Sequence, residues 1–373
     1  MSTPAAPPPG SAPASSPAAR VIPAPATATP RPPVRGRAVP WSRLSWVTWR
    51  QHRTMLAGAA ALLGALGLYL LIMGLKIHSA YATVASCHPA ASAHCQSLAH
   101  AFRHAYYGGQ SGSVVTSGLN AQTVPFLLLA VPVLLGVFAG APLLAREFES
   151  GTFRFAWTQG CGRVRWTVTK LVLLAAVLTA AAEAFSLLFS WYFHPFIADG
   201  QTGQFPMQLF GTSGVDFAAW TLAAFAIGAF AGALIRRTVP AMAAALATCT
   251  VLDVVTMMSL RQRYQTPLFS KGANLPAGNT AWVLSNWYTG PNGKVQSPQA
   301  INNLIQHAPA RVQSSLNPNS LEAWLSQRHY TQWWSYDPQS RFWHFQLIEG
   351  GWLLALSLIL LAGTVWLVRH RAA

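Results

Sequence analysis

The chain has 373 residues, of which 52% are hydrophobic and only 9% are charged, and its formal net charge is +16. Domains that are surrounded by water carry about 25% charged residues, so the composition excludes a protein that lies in water throughout. The positive charge does not indicate a nucleic-acid surface, because the basic residues gather at the ends of apolar runs, where they orient a chain in a membrane. We therefore predict an integral membrane protein that has the lipid bilayer as a partner and binds no nucleic acid.

The N-terminal region divides into two segments. Residues 1–40 are rich in proline and alanine and have no acidic residue, so they cannot bury enough apolar surface to offset the entropy of ordering. We predict that they form a disordered tail. Residues 41–54, WSRLSWVTWRQHRT, mix tryptophans with arginines, which is typical of a helix in the lipid headgroup region. We predict an N-terminal interfacial helix here, with an ordinary cytosolic flank of the first span as the alternative.

Residues 55–371 form the predicted membrane domain. Six apolar runs there have the length of roughly 20 residues that crosses a hydrocarbon core about 30 Å thick. We predict six transmembrane helices in an all-α fold, at residues 55–76, 122–144, 168–193, 214–235, 240–260 and 347–368. Basic residues crowd the short segments on the same side as the N-terminus, so we place both termini in the cytoplasm. The loops at 77–121 and 261–346 then lie on the outer side.

Four glycines in the second and fourth predicted spans are spaced as G-x-x-x-G. This spacing puts two glycines on one helix face and lets a neighbouring helix approach closely. We therefore expect close helix packing at Gly136 with Gly140 and at Gly228 with Gly232.

The two outer loops carry different features. Cys87 and Cys95 lie eight residues apart with a proline between them, and an oxidising compartment favours a disulfide there. The surrounding histidines are the basis of an alternative zinc or copper site, but no metal-binding spacing is present, so we predict no metal. In the large loop at 261–346, we expect the aromatic run before the last span to form an interfacial belt, with a substrate-binding surface as the alternative.

The segment 145–167, between spans two and three, is too polar to cross a bilayer and too short to be a domain. A loop that only sets topology needs positive charge alone, so Glu147 and Glu149 require a further reason. Exposed carboxylates and arginines beside phenylalanine and tryptophan make a mixed surface that suits a protein partner. We predict a docking element in this segment.

The pattern E-x-E-x-G-T at 147–152, followed by an arginine and then by Lys170 and Leu171 at the start of a span, resembles the type-2 ABC exporter permeases. The stretches TWRQHR, APLLAREFESGTFRFAWTQG, IRRTVPAMAA and IEGGWLLALSL are similar to a bacterial permease group that is common in high-GC genomes. The resemblance covers roughly residues 41–371.

This resemblance implies a multi-pass subunit in the bacterial cell membrane that forms the translocation path of an exporter. Two such permease subunits, identical or different, pair with two cytosolic ABC ATPase subunits that hold ATP and Mg²⁺. The chain itself has no G-x-x-x-x-G-K-[ST] motif, so we expect no cofactor on it and no enzymatic activity. The loop after the second span contacts the ATPase in this family, which assigns ATPase coupling to Glu147, Glu149, Gly151, Thr152 and Arg154.

Two other functions stay open at this point. Ionisable residues inside spans are costly and mark functional pathways, so Glu183 and Asp253 are candidates for proton carriers in a proton-coupled secondary transporter. A membrane anchor or sensor that transports nothing is the second alternative. Apolar walls favour a hydrophobic or amphipathic cargo, and no side-chain pattern selects a particular compound.

Overall fold

The computed structural model describes residues 40–107, 121–151, 162–200, 202–272, 280–313 and 318–371. Within these ranges, six helices are long and apolar enough to cross a membrane, which confirms the predicted number of spans. Spans 1 to 6 are Trp41–Ala85, Thr123–Ser150, Arg163–Ala198, Asp216–Ile235, Thr238–Arg263 and Gln339–His370. Apart from Pro40, the predicted N-terminal tail lies outside the described residues.

The first span corrects the prediction of a separate interfacial helix. One unbroken helix of 45 residues runs from Trp41 to Ala85, which corresponds to about 67 Å at a rise of 1.5 Å per residue. No turn separates residues 41–54 from the apolar run in this fully described stretch. The reason is local, because residues 41–57 contain neither glycine nor proline, the two residues that end helices most strongly.

Spans 2 and 5 end differently from the prediction. The helix of span 2 continues through Pro142 to Ser150, whereas the sequence placed its end at residue 144. Membrane helices tolerate such prolines when neighbouring helices and side chains satisfy the freed backbone groups. Span 5 is α-helical over Thr238–Val255 and closes with a π turn at Thr256–Leu260 and a 3₁₀ turn at Arg261–Arg263. A π turn changes which side chains face inward, and here the change of register precedes Arg261.

Span 4 lies at the centre of the bundle. In an apolar stretch of 18 residues within span 4, 67% is buried, whereas the corresponding stretches of spans 1 and 5 are 17% and 22% buried. Spans 1 and 5 therefore leave wide apolar faces uncovered. Span 2 packs on one side of span 4 and span 6 on another, where Gly363 lies against the ring of Phe230. Spans 1 and 3 also pack together, since a Cβ on Gly74 would overlap the ring of Trp191.

The segment between spans 5 and 6 corrects the all-α prediction, because it contains a three-stranded antiparallel sheet. Strands β1 (Leu268–Lys271), β2 (Trp282–Thr289) and β3 (Thr331–Asp337) are ordered β1-β3-β2. Short helices at Pro298–Gln306, Ala310–Gln313 and Pro318–Ser326 lie between β2 and β3. The first part of the aromatic run that we expected in an interfacial belt, residues 331–337, is therefore the central strand, and the later part begins the helix of span 6. Aromatic residues favour strands, and the register pairs Trp333 with both Lys271 and Trp287.

A cluster of aromatic rings joins this sheet to span 6. Its buried members are Phe205, Phe210, Phe342 and Phe345, and Trp282 of β2 packs against them. The Trp282 ring stacks on Phe205 at 5.5 Å between centroids and meets Phe345 edge-to-face at 6.0 Å. We call this end of the bundle the sheet end, and the end that holds Ser150 and Arg163 the loop end.

Candidate functional site

The second span ends with the two acidic residues that the sequence analysis assigned to coupling. Its helix stops at Gly151, whose φ of 70° lies in the left-handed region. Glycine adopts this conformation without the steric cost that a Cβ adds, so it commonly follows a helix. Glu147 and Glu149 lie in the last turn, and residues two apart on a helix do not share a face. The two carboxylates consequently reach different neighbours.

Glu147 faces the third span and pairs with Lys170, whose Nζ donates a hydrogen bond to Glu147 Oε1. The Lys170 side chain has no exposed surface, and the Glu147 side chain is 22% exposed. The same Nζ lies 4.2 Å from the centroid of the Trp166 ring, in a cation–π contact. A buried ammonium without a counterion is strongly unfavourable. This pair therefore holds the last turn of span 2 against the beginning of span 3.

Glu149 reaches the beginning of span 5. Its Oε2 accepts hydrogen bonds from the backbone N of Thr238, at 3.1 Å, and from Thr238 Oγ1, at 2.8 Å. Thr238 is the first residue of that helix, so the carboxylate satisfies an otherwise free N–H group at the positive end of the helix dipole. Arg236 makes the turn between spans 4 and 5 with a φ of 59°, and its guanidinium lies 5.7 Å from the centroid of the Phe148 ring.

We call Glu147, Glu149, Lys170 and Thr238 the polar corner. A groove of about 610 Å³ opens beside it between spans 1 and 2, and Glu147 forms part of its wall. The start of span 1 also contacts the start of span 3, because the Arg165 guanidinium lies 4.4 Å from the centroid of the Trp41 ring. Four spans thus meet at the short stretch where span 2 ends.

The polar corner contains partners that the sequence analysis missed. We expected both carboxylates to be exposed for a protein partner; Glu149 is exposed and Glu147 is partly buried, and each one also has a partner inside the chain. Lys170 was interpreted only as a marker of the membrane boundary, although a lysine within an apolar helix is itself a signal of an internal counterion. Thr152 and Arg154, also assigned to coupling, lie outside the described residues.

A second polar group lies at the sheet end and consists of Asp216, Arg261 and Glu349, which we call the buried charge cluster. Their relative exposures are 0%, 2% and 0%. Arg261 binds Glu349 through two hydrogen bonds, Nε to Oε2 at 2.9 Å and Nη2 to Oε1 at 2.6 Å. Asp216 Oδ2 lies 3.8 Å from the same Nη2. Three spans are joined here, since the members belong to spans 4, 5 and 6.

Aromatic donors complete the coordination of Glu349. Trp220 Nε1 donates to Oε1 at 3.2 Å, and the Tyr264 hydroxyl donates to Oε2 at 3.1 Å. Trp352 Nε1 donates in turn to the Tyr264 oxygen at 2.9 Å. Each carboxylate oxygen of Glu349 therefore has two donors, which offsets the cost of burying its charge. Burial is also the main cause that raises the pKa of the Tyr264 phenol above its ordinary value.

The sequence analysis did not single out this cluster. Arg261 was counted with the outer loop, and Asp216 and Glu349 were each placed near the end of a predicted span, where charged residues are common. Asp216 and Glu349 lie inside predicted apolar runs, and this position was the signal that could have identified the cluster. Asp253, which the analysis did name, lines a cavity of about 20 Å³ together with Asp216 and Arg261, which is room for one water molecule.

Glu183, the other intramembrane carboxylate that the sequence singled out, lies apart from both polar groups. It lines a separate groove among spans 3, 4 and 6 together with Thr179, Gln346 and mainly apolar residues. The structure thus does not bring Glu183 and Asp253 together in one proton pathway.

The four glycines of the G-x-x-x-G pairs lie where spans 2 and 4 are in contact. A Cβ on Gly136 would lie 2.6 Å from the backbone N of Phe225, and one on Gly228 would lie 2.8 Å from that of Ala141. A Cβ on Gly140 would overlap the carbonyl oxygen of Phe225, and one on Gly232 would overlap that of Ala141. The two backbones are therefore too close for any larger residue.

The segment after span 1 contains a disulfide between Cys87 and Cys95. It joins the end of the first helix to a short helix at Ala93–Phe102. Among the residues that the structure describes, no three His, Cys, Asp or Glu side chains are grouped closely enough to hold a metal ion. His78 Nε2 instead donates a hydrogen bond to the carbonyl oxygen of Trp191 at 2.8 Å, and the His78 ring stacks on the Trp191 ring.

Comparison with known proteins identifies the family. A family model described as ABC-2 membrane transporter related matches residues 60–261, which include spans 2 to 4, most of spans 1 and 5, and both carboxylates of the polar corner. No curated protein and no solved structure matches the chain. The family model covers more than half of the sequence, and the six apolar helices agree with it. This chain therefore belongs to the ABC-2 membrane transporter related family and is an ABC-2-type permease.

Proposed function

We propose that this permease is the membrane-spanning subunit of an ATP-binding-cassette exporter, and that it forms the translocation path while a separate cytosolic ATPase supplies the energy. Membership of the ABC-2 family supports a membrane component of an ABC transporter. In this proposal ATP and Mg²⁺ bind to the ATPase, and the permease has no catalytic role. A second permease subunit, identical or different, completes the path, and the least buried spans, 1 and 5, have apolar faces available for it.

The observation that carries the proposal is the polar corner. Its acidic residues occupy the last turn of span 2, directly before the loop that the family resemblance assigns to ATPase contact. Glu147 holds the start of span 3, and Glu149 holds the start of span 5. An ATPase that pushes on this turn would displace both spans together, because ion pairs and hydrogen bonds transmit the movement. The groove of about 610 Å³ beside it offers a surface for the ATPase to enter.

The experiment that tests this proposal concerns the link between Glu149 and span 5. Glu149→Ala and Thr238→Val should each leave membrane insertion intact, because Glu149 is exposed, and both should reduce the ATP hydrolysis that the permease stimulates in its ATPase. Thr248→Val is the matched control, since the Thr248 hydroxyl donates to the carbonyl of Ala244 in the same helix and, among the described residues, to no other group. Stimulation that is unchanged in both test variants would contradict the coupling role.

The proposal also places the loop end in the cytoplasm of a bacterial cell. Basic residues such as Arg146, Arg163 and Arg237 lie at this end, as the positive-inside rule requires. Cys161 belongs to the loop between spans 2 and 3, so a membrane-impermeant thiol reagent should label it only after permeabilisation. The other cysteines are disulfide-bonded or buried, which leaves this reaction easy to assign. Labelling of Cys161 in intact cells would reverse the orientation.

A further inference from the structure

A groove of about 420 Å³ lies among spans 3, 4 and 6. Small residues leave this space open, namely Ala218, Ala219, Gly350 and Gly351. A Cβ on Gly351 would meet no atom within 4 Å, so the neighbouring helices do not close over this part of the bundle. Its volume falls in the range of roughly 300–1,000 Å³ that ligand pockets in proteins occupy.

The groove has one acidic side chain, Glu183. This residue lies 20 positions after Arg163 and 15 before Ala198, or about 30 Å and 22 Å along the helix axis, which puts it deep within the span. Among the described residues, Glu183 has no hydrogen-bond donor and no basic partner. A carboxylate at such a depth is costly, and residues of this kind usually mark a pathway or a binding site.

The other polar groups of the groove define what a ligand would need. Thr179 lies one turn before Glu183, and its buried hydroxyl has no hydrogen-bond partner among the described residues. Gln346 is already occupied, because its Nε2 donates to the carbonyl of Phe210 and its Oε1 accepts from the backbone N of Asp216, each at 3.0 Å. The remaining wall is apolar, with Leu222 and Leu354 among its residues.

We propose that this groove is a binding site for amphipathic cations. The positive group of the ligand lies against the Glu183 carboxylate, and its apolar body covers the small and aliphatic residues of spans 4 and 6. Charge complementarity selects this occupant, since an anion would be repelled and a neutral lipid chain would leave the carboxylate without a partner. As a statement about transported cargo, this inference rests on the proposed function, and it narrows the cargo to hydrophobic cations.

The test uses the full-length permease in phosphatidylcholine nanodiscs, without an ATPase. Radiolabelled tetraphenylphosphonium is the probe, and tetraphenylborate is an anion of the same shape. The wild-type protein should bind the cation saturably and should show no saturable binding of the anion. Glu183→Gln, a neutral change of nearly the same size, should weaken binding of the cation by about tenfold or more. Glu183→Asp should retain the preference for the cation.

A steric variant tests the site independently of its charge. Gly351→Leu projects a side chain into the open groove, and it should abolish binding of tetraphenylphosphonium without disturbing the helix, where leucine is more favourable than glycine. Gly64→Leu is the matched control, because a Cβ on Gly64 of span 1 also meets no atom within 4 Å and lies outside the groove. A size-exclusion profile identical to the wild type shows that each variant is folded.

Three results would overturn the inference. First, Glu183→Gln or Gly351→Leu binds tetraphenylphosphonium as well as the wild type does. Second, the wild type binds the anion and the cation equally. Third, nanodiscs with the wild-type protein bind no more tetraphenylphosphonium than empty nanodiscs do. Equal binding of both ions would identify an apolar groove that lipid chains fill. Because no ATPase is present, these results are independent of whether an ATPase couples to the permease, so the two proposals fail separately.

Discussion

The ion pair between Glu147 and Lys170 provides the sharpest test of the polar corner. Glu147→Gln removes the counterion of an ammonium whose side chain has no exposed surface. Breaking a buried ion pair by removing one partner costs about 3–5 kcal/mol. Glu147 is 22% exposed, so water reaches one end of the pair, and we expect a loss of free energy of unfolding at the lower end, about 3 kcal/mol.

A double variant separates the interaction between Glu147 and Lys170 from the contribution of each side chain alone. Glu147→Leu with Lys170→Met removes both charges and replaces them with apolar side chains. Replacing a buried ion pair in this way is often neutral, so the double variant should recover to within about 1 kcal/mol of the wild type. The two single changes Glu147→Leu and Lys170→Met complete a double-mutant cycle with this variant, and its interaction energy should then be about 2 kcal/mol or more.

Unfolding is measured by titrating mixed detergent micelles with dodecyl sulfate and following tryptophan fluorescence. Lys76→Met is the matched control, because Lys76 is an exposed lysine on span 1 and its removal should change stability by less than about 0.5 kcal/mol. The reasoning is refuted if Glu147→Gln is as stable as the wild type, or if the effects of the two single changes simply add. The double variant should also stimulate its ATPase poorly, since it folds but lacks the link between spans 2 and 3.

Three further predictions concern other contacts. Arg261→Met leaves Glu349 buried without its cation and should lower the free energy of unfolding by about 3–5 kcal/mol, whereas adding Glu349→Leu should restore part of this loss in the same titration. Gly140→Leu forces spans 2 and 4 apart and should lower the free energy of unfolding by about 3 kcal/mol or prevent accumulation of the protein. Gly64→Leu should be neutral, and equal stability of the two variants would contradict the close approach. Burial raises the pKa of the Tyr264 phenol, so the unfolded chain loses this proton at a lower pH than the folded chain does. The free energy of unfolding should therefore fall as the pH rises above about 10, and Tyr264→Phe should reduce that fall.

Several features of the fold could be predicted because they are local. Each span is a run of apolar residues long enough to cross a bilayer, and the energetic cost of exposing a backbone to lipid makes such a run helical. The four glycines of spans 2 and 4 were likewise visible as spacings on a helix face. The family resemblance depended on the short pattern at 147–152, which the family model also covers.

Other features could not be predicted because they depend on residues far apart in the chain. Strand β3 becomes a strand through pairing with β1 and β2, and β1 is more than 60 residues earlier. The prediction of a separate helix at residues 41–54 was wrong for a different reason, since an amphipathic composition does not specify where a helix bends. A helix-breaking residue at the junction would have favoured an interruption, and residues 41–57 contain neither glycine nor proline.

The sequence alone determined how many times this chain crosses the membrane and where its charged residues lie along the spans, because the hydrophobic cost of the bilayer acts on each segment separately. The tertiary structure decided what each charge does. Lys170 and Glu147 are 23 residues apart and Arg261 and Glu349 are 88 apart, yet each pair is in direct contact, whereas Glu183 has an open groove in front of it. Whether a buried charge is neutralised or free to bind a ligand depends on what lies within about 4 Å, and folding alone sets that distance.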